Sequence, residues 1–141
     1  MTSVKMAIEP TTVTAPLHYR AMALPVLLVA SLLARRSPLR ITLGFAKAVK
    51  RVVSRRPATR ARVELVLAAR DWAAARFPGR SACMEASLAA FLLTALTGRS
   101  VDWCIGCRFQ PAESHAWIET GLRPVGEPTT PDRPFHVTIR I

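Results

Sequence analysis

Residues 81–127 read SACMEASLAAFLLTALTGRSVDWCIGCRFQPAESHAWIETGLRPVGE. Along this stretch the spacing of the apolar residues changes from the period of a helix to the period of a strand. In the first part Leu88 and Leu92 recur at helical spacing, and Gly98 follows them. Glycine commonly follows the last turn of a helix, because it adopts the left-handed conformation without a steric cost. This part is therefore predicted to be a helix, which Ser81 can cap at its N-terminus.

The second part and the C-terminus of the chain alternate with a period of two, which is typical of strands. The predicted strands cover residues 101–109, 114–120 and 135–141, and Gly121 and the proline-rich stretch 124–134 lie between the last two. Because these strands follow one another after the helices, they are expected to form an antiparallel sheet.

Three more helices are predicted upstream, at residues 18–33, 39–53 and 59–76, and Pro38 and Pro57 separate them. In the second of these helices the apolar residues at helical spacing are expected to face inward: Phe45, Ala46, Val49, Val52 and Val53. The expected fold class is α+β, with N-terminal helices followed by a further helix that packs on a small antiparallel sheet.

The charged residues divide the chain into a basic N-terminal part and a neutral C-terminal part. Between Pro10 and Val63 there are eleven Lys or Arg residues and no Asp or Glu, whereas the other nine basic and nine acidic residues cancel. We expect a flexible arm at 1–14, a basic helical region at 15–78 and a core at 79–141. Nucleic acid is not expected as a partner, because the basic residues are spread over several helices and no recognisable binding motif accompanies them.

The apolar run Ala21–Ala34, AMALPVLLVASLLA, is shorter than the roughly 18 residues of a spanning helix, and Pro25 interrupts it. About 20 residues precede the run and arginines follow it, which is the opposite of the order in a signal peptide. A buried helix is predicted, with membrane-surface contact as the alternative. An odd count of three cysteines fits a reducing compartment, so a cytoplasmic location is expected.

Cys83 is predicted to be the second or third residue of its helix. There the unpaired backbone N–H groups and the helix dipole favour a thiolate, so Cys83 is a candidate nucleophile. The alternative is that it is a small buried hydrophobic residue, which is the usual role of a free cysteine.

His115 lies in the strand-like run HAWIE, where Trp117 and Glu119 are expected to share its face. A histidine near a cysteine thiol can act as its general base, and His18 and His136 are the alternatives in this chain. Neither of these two has an acidic residue at a following turn.

Glu127 follows His115 by twelve residues, after Gly121 and Pro124. A strand, a turn and a short return strand would bring this carboxylate back beside the imidazole. Asp132 could take the same position, and a solvated loop carboxylate is the alternative for Glu127.

Cys104 and Cys107 form a C-x-x-C pair, which raises the alternative of a zinc site completed by His115 and His136. On a strand, however, the two cysteines point to opposite faces. Joint ligation would require a turn at residues 105–106, so no metal is expected.

From His18 to the end the chain resembles the leader peptidases of lasso-peptide biosynthesis, which are transglutaminase-like cysteine peptidases. Three stretches carry this resemblance: HYRAMALPVLLVASLLARRSPLR, CMEASLAAFLLTALTGRSVDWCIGCRFQP and SHAWIETGLRPVGEP. The first resembles the family's N-terminal helical region, the second its nucleophile helix and following strand, and the third its histidine strand and acid turn. The resemblance implies a transglutaminase- or papain-like core.

Matched residue by residue, the resemblance implies that Cys83 is the nucleophile, His115 the base and Glu127 the acid, which is often an aspartate in the family. It implies peptide-bond hydrolysis of a precursor leader without a cofactor. The implied partners are the precursor peptide, a separate leader-recognition protein and an ATP-dependent lasso cyclase. A docking role is also expected for the basic helices, toward such a partner, an acidic leader or a membrane surface. The alternatives are a non-catalytic scaffold that presents the precursor, and an amidase or acyltransferase that uses the same three residues.

Overall fold

Four helices precede a four-stranded antiparallel sheet in the part of the chain that the structure, a computed structural model, describes, namely residues 13–53, 56–77, 79, 82–127 and 132–141. The helices are α1 (Leu17–Arg36), α2 (Leu39–Val52), α3 (Arg60–Ala74) and α4 (Cys83–Leu96). The strands are β1 (Asp102–Arg108), β2 (Glu113–Thr120), β3 (Arg123–Pro124) and β4 (His136–Arg140). The predicted α+β fold class is confirmed. Most of the predicted arm lies outside the described residues, and the three-part division of the chain stays a prediction.

The helix ends follow the local sequence signals. Thr59 is the N-cap of α3, and its hydroxyl accepts a hydrogen bond from the backbone N–H of Arg62 at 3.3 Å. Gly98 follows α4 with a φ of +80°, as predicted. Ser81 lies outside the described residues, and Ala82 occupies the N-cap position of α4. Cys83 is therefore the first residue of the helix, rather than the second or third.

The strands are arranged in the order β3-β2-β1-β4. A two-residue turn, Gly121–Leu122, connects β2 to β3, and both residues have positive φ angles, 58° and 62°. Positive φ at both positions matches the twist of two-residue hairpin turns. The result is the short return strand that was expected after His115.

Helix α4 lies at the centre of the molecule. Nearly all of its residues from Glu85 to Ala95 are buried, because α1 and α3 pack against it from one side and the sheet from the other. Trp103 of β1 is fully buried and donates a hydrogen bond from its indole nitrogen to Ser87 Oγ at 2.9 Å. A helix that is apolar all round requires burial on all sides. This packing fixes the direction in which α4 presents its first residue.

Only about a quarter of helix α1 is buried, in contrast to the predicted buried helix. Ala23 and Leu27 face the core, whereas Leu24, Leu28 and Leu32 are exposed. Pro25 does not interrupt the helix, which continues to Arg36. By length and composition α1 could cross a membrane, a test that the core helices of soluble proteins and signal sequences also pass.

Helix α2 buries only part of the predicted face: Ala46 is buried and Val49 packs against the core, as predicted. Thr42 and Ala46 are its buried residues, and Phe45 and Val52 are exposed. The apolar arc of the helix is wider than the surface that the rest of the protein covers. Leu96, at the end of α4, is likewise exposed although it continues the helical apolar spacing.

Candidate active site

Cys83 presents an exposed thiol at the N-terminus of α4. A side-chain hydrogen bond to His115 is the largest cause of its lowered pKa, and backbone hydrogen bonds from Ala116 and Met84 act in the same direction against partial burial. Thiolates are also favoured where the unpaired N–H groups of a helix begin. This sulfur is therefore poised to act as a nucleophile.

His115 lies between the thiol and a carboxylate. Its Nε2 atom is 2.6 Å from Glu127 Oε2, which leaves Nδ1 as the ring nitrogen available to the Cys83 sulfur. The hydrogen bonds to Cys83 and then Glu127 raise the pKa of His115 to about 9, against the opposing effect of burial. A raised imidazole pKa beside a lowered thiol pKa favours a thiolate–imidazolium pair.

Glu127 reaches the imidazole because the chain returns after the β2–β3 turn. The backbone N–H of Val125 donates to the carbonyl of Ile118 at 3.1 Å, which holds the returning segment against β2. Gly126 has a φ of +73°, and a Cβ added there would lie 2.7 Å from Leu67 Cδ1. A glycine is thus required immediately before Glu127.

Of the two carboxylates that the sequence left open, Glu127 is the one in contact with the imidazole. Asp132 lies in an exposed turn. His18 and His136, the alternative histidines, are also exposed, and His18 makes an edge contact with Tyr19 instead.

Aromatic rings hold the imidazole of His115. Trp117 stacks on it with a centroid distance of 5.9 Å and an interplanar angle of 14°, and the Phe135 ring lies 5.2 Å away. The Trp117 ring reaches over Gly106, where an added Cβ would lie 2.7 Å from a ring carbon and 2.3 Å from the carbonyl oxygen of His136. Gly106 is therefore the residue that allows this stacked arrangement.

A buried carboxylate fixes Trp117 in turn. The indole nitrogen of Trp117 donates to Glu119 Oε1 at 2.9 Å, and Arg140 contacts the other carboxylate oxygen. Glu119 is only 4% exposed, so this charge is stabilised by its two partners rather than by water. The sequence predicted the shared face of these residues, but it gave no signal for Arg140.

A second buried carboxylate anchors the start of α4. Arg35, at the end of α1, donates from Nε to Glu85 Oε1 at 2.7 Å and from a terminal nitrogen to Oε2 at 3.2 Å. Glu85 Oε2 also accepts from the backbone N–H of Ala82 at 3.4 Å. This bidentate pair joins residues 50 positions apart, next to Cys83, and was not predicted.

A cavity of about 890 Å³ opens beside the thiol and the imidazole. Four arginines from separate parts of the chain line it: Arg60, Arg70, Arg108 and Arg123. Arg108 is held by Glu113 and lies over the Phe135 ring, with 4.3 Å from the guanidinium carbon to the ring centroid. The cavity is large enough for a peptide segment. Two carboxylates, Glu119 and Glu127, line it together with the arginines, and Arg60 and Arg70 are ion-paired with Glu64 and Asp71.

Cys104 and Cys107 lie on β1, whose pairing with β2 is continuous from Asp102 to Arg108. The turn that a joint zinc site would require is not formed there. Cys104 is buried, and desolvation raises its pKa to about 12, whereas the Cys107 sulfur lies 3.8 Å from Thr138 Oγ1. Among the described residues no group of three His, Cys, Asp or Glu side chains could hold a metal ion.

Comparison with known proteins identifies a family. A family model described as "Transglutaminase-like superfamily" matches residues 21–140, which is most of the chain. No curated protein and no solved structure matches it. The family typically includes cysteine peptidases and transglutaminases, which agrees with a thiol-based site. The chain belongs to the transglutaminase-like superfamily.

Proposed function

We propose that the protein is a cysteine peptidase that removes the leader from a ribosomally synthesised lasso-peptide precursor. The observation that carries the chemistry is the continuous contact from the Cys83 thiol through His115 to Glu127. The choice of substrate rests on the resemblance of the three quoted stretches to lasso leader peptidases. Membership of the transglutaminase-like superfamily supports cysteine-dependent acyl chemistry in general.

In the proposed first half-reaction, the Cys83 thiolate attacks the carbonyl carbon of the scissile peptide bond. A carbon–sulfur bond forms, and the carbonyl oxygen becomes an oxyanion. The His115 imidazolium then donates its proton to the leaving nitrogen as the carbon–nitrogen bond breaks. The products are a free amine, which is the new N-terminus of the core peptide, and a thioester of the leader.

In the second half-reaction, neutral His115 removes a proton from water, and the resulting hydroxide attacks the thioester carbon. The carbon–sulfur bond breaks, the leader leaves as a carboxylic acid that releases its proton to solvent, and the thiolate–imidazolium pair is restored. Glu127 holds the imidazole ring in one orientation and stabilises its positive charge, as the acid of a triad does.

Developing negative charge on the carbonyl oxygen requires hydrogen-bond donors. The backbone N–H of Cys83, at the positive end of α4, supplies one such donor in this proposal. Its contribution is favoured by the position of Cys83 as the first residue of the helix, where the N–H groups have no partner within the helix.

The proposed partners rest on the resemblance to lasso leader peptidases. A separate leader-recognition protein binds the leader, and an ATP-dependent cyclase takes up the new amine and closes the macrolactam.

The test combines the purified protein with a candidate precursor and a leader-recognition protein, and mass spectrometry follows the products. Loss of the leader mass is expected with the natural sequence and not with Cys83→Ala. Cys107→Ala is the matched control, because it removes a partly exposed thiol outside the cavity and should retain cleavage. If Cys83→Ala cleaves at the natural rate, the peptidase proposal is wrong.

The same experiment separates the alternatives. A non-catalytic scaffold would leave the precursor intact in every variant, yet it would accelerate macrolactam closure when the cyclase is added. An amidase or acyltransferase remains the second candidate, because the family also includes transglutaminases. The acyltransferase would transfer the acyl group to an added primary amine, so the product would carry the amine instead of water, whereas an amidase would hydrolyse an added simple amide.

A further inference from the structure

We propose that α1 and α2 together form a docking surface for an anionic lipid bilayer. We call this surface the α1–α2 face and define it by its exposed apolar residues: Leu17, Leu24, Leu28, Val29, Leu32, Leu39, Ile41, Phe45 and Val52. The proposal does not depend on the peptidase function, because no residue of the α1–α2 face lines the cavity.

On α1 the exposed residues form a continuous apolar row. Leu24, Leu28 and Leu32 follow one another at intervals of four and are 39–48% exposed. The opposite face of the helix, with Ala23 and Leu27, packs into the core. No charged residue lies between Ala21 and Ala34, so the exposed row is not interrupted by a charge.

On α2 three arcs lie side by side. At about 100° per residue, Thr42 and Ala46 define the buried arc, and the exposed residues Ile41, Phe45 and Val52 define the next one. A third arc is basic and also exposed: Arg40, Lys47 and Arg51. Cations thus border the exposed apolar arc, which is the pattern of helices that lie in the interface of a membrane.

Helices α1 and α2 both pack against α4, and their exposed residues point away from it. The Thr42 hydroxyl donates to the backbone carbonyl of Leu33 at 3.2 Å, which joins α2 to the end of α1. The sheet that carries His115 also packs against α4. No residue of the sheet belongs to the α1–α2 face, although Lys50 of α2 pairs with Asp102 of β1.

Charge and composition favour a bilayer over other occupants. The segment from Pro10 to Val63 has eleven cations and no acidic residue, so a second copy of the chain would bring like charges together. Phe45 is the single aromatic residue of the α1–α2 face, whereas specific protein interfaces are rich in aromatic anchors. In an anionic bilayer the leucines can insert into the hydrocarbon, and the cations can bind the headgroups above it.

The experiment is co-sedimentation of the purified chain with vesicles of phosphatidylcholine mixed with phosphatidylglycerol, and with vesicles of phosphatidylcholine alone. We expect binding to the anionic vesicles that weakens as salt is added, because salt screens the attraction of the cations. Leu24→Gln with Leu28→Gln should reduce the affinity about tenfold or more for each leucine that inserts. Lys47→Gln with Arg51→Gln should reduce it about fivefold for each cation removed.

Two matched variants control for general loss of hydrophobicity or charge. Leu96→Gln removes an exposed leucine at the far end of α4, and Arg76→Gln removes an exposed cation after α3; both should leave vesicle binding unchanged. Circular dichroism confirms that each variant is folded. No binding to anionic vesicles, or binding that the α1–α2 variants do not alter, would overturn the proposal. So would a stable dimer that Leu24→Gln with Leu28→Gln dissociates, since a second copy would then cover the α1–α2 face.

Discussion

Glu127 Oε2 lies 2.6 Å from His115 Nε2, at the end of a segment that reverses direction within seven residues of β2. This contact assigns the two ring nitrogens different partners, with the carboxylate at one and the thiol of Cys83 at the other. The carboxylate therefore supports the positive charge of the imidazole from the side away from the Cys83 sulfur.

Replacing Glu127 with glutamine tests that support. An amide keeps the size of the side chain but removes the negative charge, and a hydrogen bond to a charged group contributes about 1.5–3 kcal/mol. We expect kcat/KM for precursor cleavage to fall about 10- to 100-fold. The alkaline limit of activity should also move to lower pH, because the pKa of His115 is no longer raised by Glu127.

Asp132→Asn is the matched control for that variant. It also neutralises a carboxylate between β3 and β4, but in an exposed turn. Its activity and pH profile should match those of the natural sequence. An equal loss of activity in Asp132→Asn and Glu127→Gln would contradict the assignment of Glu127.

The pH dependence of kcat/KM reports the thiolate–imidazolium pair. Activity should decline as the pH rises through about 9, because His115 then loses the proton that it must donate to the leaving amine. On the acid side activity should persist below the ordinary pKa of a thiol, because the pKa of Cys83 is lowered. A profile that rises through pH 9 without a decline would show that His115 is not the acid.

Gly106→Ala tests the packing that supports the imidazole. The added methyl group meets the Trp117 ring and the backbone of His136 at distances that require one of them to move. We expect a loss of about 1–3 kcal/mol in the free energy of unfolding, measured by urea denaturation. Cleavage should also slow, because a displaced Trp117 no longer holds His115.

Gly44→Ala provides the control for that substitution. An added Cβ at Gly44 has nothing within 4 Å, and the residue lies inside α2. Alanine there should stabilise the protein by about 0.5–1 kcal/mol through helix propensity. If Gly106→Ala were as well tolerated as Gly44→Ala, the close contact between β1 and Trp117 would be absent.

Arg140→Gln tests the charge that holds Glu119. The variant leaves a buried carboxylate without its cationic partner, so we expect a loss of about 1–3 kcal/mol in the free energy of unfolding. Adding Glu119→Gln should restore part of that loss, because the unpaired charge is then removed. Additive losses in a double-mutant cycle would show that the two side chains do not interact.

Local patterns predicted the elements of the fold. The apolar spacing of Leu88 and Leu92 with Gly98 after them gave α4, and the change of period gave the strands. Thr59 marked the start of α3 because its side chain satisfies a backbone N–H in any helix. These signals act over one or two helical turns, so neighbouring residues are enough to detect them.

Features that depend on distant residues were missed. The pair of Arg35 and Glu85 joins two helices 50 residues apart, and neither residue differs from a solvated charge in its local sequence. On α2 the apolar arc is wider than the covered surface, so periodicity could not distinguish buried Ala46 from exposed Phe45. Gly106 likewise gave no signal, because its role depends on a tryptophan in the next strand.

Local sequence spacing predicted the positions of the candidate site residues, and family resemblance predicted their roles. The position of Cys83 near a helix start and the face of His115 followed from local spacing, and the short return strand toward Glu127 was expected from the turn residues. The assignment of roles came from the resemblance to a known family, and these roles stay predictions. Spacing alone left Asp132 open as the acid, because a flexible turn can bring either carboxylate back.

The imidazole of His115 lowers the pKa of the Cys83 thiol at the start of α4. Site-resolved mass spectrometry of iodoacetamide alkylation measures it directly as a function of pH, with Cys107 of the same chain as the internal reference. In the natural sequence Cys83 should react as a thiolate below the ordinary pKa of a cysteine, and His115→Ala should shift its midpoint to higher pH while Cys107 is unaffected. The same Cys83 midpoint in both proteins would contradict the account.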